Sequence, residues 1–170
     1  MKKSLMMRNL FLVGAVLIAG GCGGGADPAA EKMLRQSIGK TSVTVFPAVV
    51  RKSSITYDDG ASAKLAEFLN TAGLADATAS DRHVPITGPW LMNQARMLRE
   101  SAKEFGEFVR TNPIGTRYAL LPEYLGGKTE AVGIHAYIVD AEGRVAFQVL
   151  SNSHWEEFSK AKPKTEDECT

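Results

Sequence analysis

The chain has 170 residues, 44% hydrophobic and 23% charged, with 20 lysines and arginines against 19 acids and a formal charge of +1. That length suits one domain with a single core, and a nearly neutral chain without a basic run offers nucleic acid no electrostatic footprint. Two cysteines are too few for a disulfide framework.

Lys2, Lys3 and Arg8 precede an uncharged apolar stretch over 10–19. It falls short of the roughly 20 residues that span a bilayer but suits the apolar region of an export signal. Small residues then lead to a cysteine in Ile18-Ala19-Gly20-Gly21-Cys22. This run resembles the bacterial lipobox, with Ala19 where leucine is usual. The resemblance implies a signal peptide over 1–21 and a mature chain that begins at Cys22, bearing diacylglycerol and a fatty acyl group such as palmitate. Several acyl chains anchor firmly where one binds marginally. Gly23 stands where an aspartate favours inner-membrane retention, so the implied location is the inner leaflet of the outer membrane, facing the periplasm. The alternative is an ordinary secreted protein cut near Gly21. Cleavage removes Lys2, Lys3 and Arg8, leaving 17 basic residues against 19 acidic ones, a charge of −2. With Cys22 acylated, Cys169 is either a tail thiol or one half of an intermolecular disulfide.

Residues 22–40 read as a lipidated tether, Gly-rich at first, with Asp27 as cap and Pro28 as first residue of a short helix that stops at Gly39. Thr41 to Phe46 alternates in β-favouring residues and predicts a strand. Asp58, Asp59 and Ser62 are candidate caps for a helix whose apolar face is Leu65, Phe68, Leu69 and Ala72, with Gly73 as its stop. A short strand follows at 77–81. A long helix starts near Pro89, carries the stripe Leu91, Ala95, Leu98, Ala102, Phe105 and Val109, and ends at Asn112-Pro113. Three strands close the domain, over 117–125, 131–139 and 144–151, joined by turn-forming residues at 126–129 and 140–143. The order β-α-β-α-β-β-β predicts an α+β fold, a mixed sheet with two helices packed on one face. The domain is expected over 41–159, with a flexible tail over 160–170.

Certain phrases resemble a group of envelope proteins: the amino-terminal domain of the Tol-Pal propeller protein, the curli-secretion lipoprotein, and the outer-membrane lipoproteins that activate peptidoglycan synthases. The phrases are Val43-Thr44-Val45-Phe46-Pro47, Leu65 to Gly73, Gly115-Thr116-Arg117-Tyr118-Ala119-Leu120, and Val139-Asp140-Ala141-Glu142-Gly143-Arg144-Val145. The resemblance spans roughly 41–151 and implies a fold and a binding role. Pro122-Glu123 departs from it where a glycine is usual, and so does the tail from Ser153 to Phe158.

No catalytic constellation emerges. Gly39-Lys40-Thr41 and Gly127-Lys128-Thr129 lack the upstream glycine of a phosphate loop and precede strands instead of helices. His83, His135 and His154 show no metal-ligand spacing. A tight hairpin at 140–143 would set His135 opposite Gln148, on an exposed, solvated sheet face. Asp58-Asp59 and Glu156-Glu157 read as caps and surface charge, so no cofactor, no metal and no enzyme activity is expected. The candidate partner-binding residues are the aromatics Trp90, Trp155 and Phe158 with His154, which either close the edge of the core or form a docking patch. The leading expectation is a lipid-anchored accessory protein that binds another envelope protein. The alternative is a structural lipoprotein that associates with itself.

Overall fold

The computed structural model describes residues 25–87, 93–126, 131–152, 154 and 159–160. Along the chain run α1 (Pro28–Ser37), β1 (Ser42–Val45), β2 (Ala48–Arg51), β3 (Ile55–Asp58), α2 (Asp59–Thr71), β4 (Asp76–Ala79), α3 (Gln94–Thr111), β5 (Tyr118–Gly126), β6 (Ala131–Asp140) and β7 (Val145–Asn152). The starts of α1 and α2 follow expected caps, whereas α3 starts at Gln94 behind Asn93 and not near Pro89. Asp27 accepts from the backbone N–H groups of Ala29 and Ala30, and Asp58 from that of Gly60, satisfying donors that a first turn leaves free.

All the strands join one mixed sheet with β5 at its centre. One side of β5 pairs in parallel first with β1 and then with β2, which act as a single strand interrupted at Phe46-Pro47. The other side pairs antiparallel with β6, and β6 with β7. β4 lies parallel beyond β1, and β3 antiparallel beyond β2. Proline inside a central strand removes a ladder donor, yet β5 holds Pro122. The interruption explains why it is tolerated. Parallel pairing stops at Leu120 and resumes at Glu123, so Pro122 stands beside the break.

The α+β class and the mixed sheet are as expected, and one face does carry two helices, but not the anticipated pair. On that face Ala30 and Leu34 of α1 and Leu65 and Leu69 of α2 pack on Val43, Val45, Tyr118, Leu120 and Ile138. The long helix α3 covers the opposite face, setting Leu98, Ala102, Phe105 and Val109 against Phe46, Val49, Leu121, Tyr137 and Val139. The sequence already contains the reason. Both alternating sets of β5 side chains are apolar at 118–121, so both faces need a cover. In α3 Ala95 is exposed, while Met97, Ser101 and Gly106 complete the buried side; Leu91 lies outside the described residues. Because α1 is built into the core, the folded unit begins well before residue 41, and the expected tether over 22–40 shortens accordingly.

Two strands, β2 and β3, were not anticipated. Ala48–Arg51 is buried at all four positions and shows no alternation. Ile55–Asp58 runs straight into the cap of α2, so Asp58 ends one element and starts the next.

The hairpin of β6 and β7 also differs from expectation. Val139 pairs with Val145, one residue beyond the tight turn expected, and a bulge between Ile138 and Val139 shifts the register by one more, so that His135 faces Leu150 and not Gln148. The turn at 140–143 sits against α3, where a β-carbon at Gly106 would collide with the backbone carbonyl oxygen of Gly143. Alanine is worth about 1 kcal/mol more than glycine inside a helix, whereas forced overpacking costs about 1–3 kcal/mol. Since the neighbour is backbone, the collision prevails: Gly106→Ala is expected to lower the urea midpoint. A raised midpoint would show that α3 and the turn separate freely.

Candidate functional site

Of the residues singled out in the sequence, Cys22, Trp90, Trp155, Phe158 and Cys169 lie outside the described residues. His154 is exposed, and its backbone N–H donates to Asn152 Oδ1 at 3.0 Å. Asn152 Nδ2 in turn donates to Gln94 Oε1 at 2.7 Å. The end of β7 is thereby joined to the first turn of α3, four residues after Trp90. The histidines do not converge. His83 Nε2 lies 2.7 Å from Asp59 Oδ1 at the surface, His154 lies two residues past the end of β7, and His135 belongs to a separate arrangement in the core. Gly39, in the first Gly-Lys-Thr triplet, turns the chain out of α1 with φ +78°, as a helix stop requires; the second triplet lies outside the described residues. Among the described residues no three histidine, cysteine or carboxylate side chains gather as a metal site would need, and no helix is long and apolar enough to cross a membrane.

The largest concentration of polar chemistry is inside the protein. Arg51, Ser101, Glu123, His135 and Tyr137 meet between α3 and the sheet, each no more than 2% exposed. The register explains why they meet. Glu123 pairs with Val49 on β2 and with His135 on β6, so Arg51, two residues past Val49, and Tyr137, two past His135, share its face. Ser101 descends from α3. Arg51 Nε donates to Glu123 Oε1, and Arg51 Nη2 lies 3.0 Å from Ser101 Oγ. Tyr137 Oη donates to Glu123 Oε2, while His135 Nδ1 lies 3.0 Å from both that oxygen and Tyr137 Oη. His135 Nε2 is buried without a hydrogen-bond partner among the described residues. His135 is therefore a core residue and not the solvated sheet residue expected from its alternation. That reading assumed a bare face, and α3 covers it.

The electrostatics follow from the contacts. Burial alone pushes the Glu123 carboxyl up, but the His135 hydrogen bond and charge, the Arg51 charge and the Tyr137 hydroxyl together hold it below its ordinary value. Tyr137 moves the other way. Burial, then the Glu123 charge and hydrogen bond, push its phenol well above the ordinary tyrosine range. Glu123 is thus ionised and Tyr137 is a neutral donor at physiological pH. An ion pair this deep seldom adds much over an apolar replacement, because desolvation offsets the attraction, but removing one partner is costly. The arrangement acts as a pin that fixes α3 over β2, β5 and β6. The surface groove that runs beside α3 is lined by none of these five side chains.

Sequence reasoning passed over Ser101, Tyr137 and the pairing of Arg51, and it singled out Glu123 and His135 only as groups that would matter for catalysis if they met in a deep cleft, whereas they meet in the closed core. A signal for the pairing was present. Glu123 interrupts the apolar run Tyr118 to Leu125, and an acid in a strand buried on both faces demands a cation. Arg51, closing Ala48-Val49-Val50, is the charged residue that ends another apolar run. Pro122-Glu123, the departure from the envelope-group pattern, turns out to mark both the strand break and the centre of this cluster.

No family model matches the chain, and no curated protein matches it. Among solved structures the chain is similar to the LpoB C-terminal domain from Salmonella enterica, at 15% identity and a TM-score of 0.42, covering 76% of this chain and 95% of that one. This is a distant likeness of fold.

Proposed function

We propose that the chain is a lipid-anchored lipoprotein of the cell envelope, facing the periplasm from the outer membrane, whose domain binds another envelope protein and positions or regulates it. The observation that carries the reading is Ile18 to Cys22 behind a charged and then apolar leader. The resemblance of residues 41–151 to envelope accessory proteins supports it. The reactive side chains support it too, since Glu123, His135 and Tyr137 are spent on internal bonds and closed to solvent. For docking, β7 pairs among the described strands only with β6, and its first residue also accepts from Asp27 N. An edge strand of this kind accepts an added strand, and exposed His154 stands at its end. The same edge would serve a second copy of this chain, which keeps self-association as the second reading.

In-cell photocrosslinking from Trp155 and Phe158 tests the proposal. One discrete envelope protein is expected, with capture lost on Trp155→Ala. Capture of this chain alone would establish the self-associating reading instead, and the absence of any crosslink would overturn both.

A further inference from the structure

The face of the domain nearest the anchor is not neutral. The chain passes around the β7 edge before α1 begins. Asp27 N donates to Val145 O at 2.8 Å, α1 then packs on one face of the sheet, and Gly25 lies on the other, against α3. A β-carbon at Gly25 would come 2.5 Å from Gln148 Nε2 and 3.7 Å from Arg99 Cγ. Gly25 therefore borders the groove of about 320 Å³ whose rim includes Arg99 and Lys103. The exposed charges of α3 are divided. Arg99, Lys103, Arg110 and one acid, Glu107, line the groove side, whereas Glu104 turns to the other side and accepts from Thr87 N and Oγ1. The acids close to the groove are already engaged. Glu107 binds Arg110, Asp140 and Glu142 bind Arg144, and Asp27 caps α1. Arg99 and Lys103 are exposed and make no salt bridge within 4.0 Å among the described residues, although the Lys103 charge also acts on Glu107.

Gly25 is the third residue after Cys22, and three Cα steps reach about 11 Å at full extension. This is close to the Debye length of about 8–10 Å at physiological ionic strength, within which an anionic surface attracts cations. We infer that the α3 face of the domain lies against the anchoring bilayer, with Arg99 and Lys103 on the phosphates of anionic phospholipid headgroups. This inference rests on acylation of Cys22. It leaves α2, on the opposite face of the sheet, directed away from the membrane, so that the bilayer orients the domain toward its partner as well as holding it.

The test uses the mature lipoprotein purified from membranes, in a Cys169→Ser background, reconstituted into phosphatidylcholine bilayers with or without phosphatidylglycerol. A spin label is placed at Ala95→Cys on α3 or at Ala63→Cys on α2, both exposed positions, and its collisions with a nickel-chelating lipid are measured. With phosphatidylglycerol the label at 95 is expected to relax much faster than the label at 63. Arg99→Ala with Lys103→Ala should reduce the bilayer-apposed population by about fivefold per cation removed. Equal relaxation at both sites in a protein whose intact mass shows acylated Cys22 would overturn the orientation alone. A protein that carries no acyl group and leaves the bilayer would overturn the lipidation reading instead. If added inorganic phosphate abolished the difference at constant ionic strength, the pair would be a site for a soluble anion and the inference would fail.

Discussion

Arg51→Ala is expected to destabilise the domain by about 3–5 kcal/mol, the range seen when one partner is removed from a buried ion pair. The loss arises less from the missing attraction than from what stays behind, a Glu123 with no exposed atom that is left with its contacts to His135 and Tyr137. For a chain of this size, 1 kcal/mol shifts the thermal midpoint by about 2–4 °C, so a fall of roughly 10 °C or more should be measured. The double variant Arg51→Met with Glu123→Leu separates charge from packing. It removes both ions, leaves Tyr137 Oη and His135 Nδ1 3.0 Å apart to bond each other, and should recover most of the loss. A single variant within about 1 kcal/mol of the parent would show that the pair does not hold α3 on the sheet.

Stability should form a plateau against pH with two shoulders, each assigned to one residue. Glu123 titrates below its ordinary value in the folded protein. The unfolded chain therefore binds the proton more readily, and the contribution of Glu123 is complete above the ordinary glutamate value near 4.3 and lost as pH falls through the lower folded value. Tyr137 titrates well above its ordinary value. Its contribution is complete below about 10 and lost as pH rises toward the folded value. Denaturation midpoints between roughly pH 5.5 and 9 should accordingly vary little on account of these two groups. Tyr137→Phe should remove the Tyr137 part of the alkaline shoulder and cost about 1.5–3 kcal/mol on the plateau, the worth of a hydrogen bond to a charged group. An alkaline limb unchanged in Tyr137→Phe would assign it to another tyrosine or lysine.

Local patterns announced most of the elements because local chemistry makes them. Asp27-Pro28 and Asp58 cap helices whether or not the rest of the chain is known, and Leu65 and Leu69 declare a helix face by spacing alone. The arrangement of those elements depends on residues far apart in the chain, and there the alternation misled. His135 in Val132 to Ile138 looks solvated because it lies opposite the apolar set, yet α3 covers that second face and turns the position into core. The meeting of Arg51 with Glu123 is a contact across 72 residues. It required knowing that β2 runs beside β5, and β2 is too short and too uniformly apolar to declare itself. The longer turn and the bulge before Val139 each move the register by one residue, and together they move the partner of His135 by two.

The aromatic residues chosen for docking fall outside the described residues, while exposed His154 and the Asn152–Gln94 bond show that the strand end leading to them is anchored to α3. A partner seated there would bear on the helix that the buried ion pair fixes. Weakening the pin at Arg51 should therefore reduce partner capture along with stability, and the double apolar variant should restore both.

Whether the domain acts from a lipid anchor is decided by the intact mass of the protein isolated from cell membranes. The predicted spectrum shows a chain beginning at Cys22 with a diacylglyceryl group and an amide-linked acyl chain. A chain recovered from the soluble fraction with an unmodified cysteine, or one retaining residues 1–21, would contradict it.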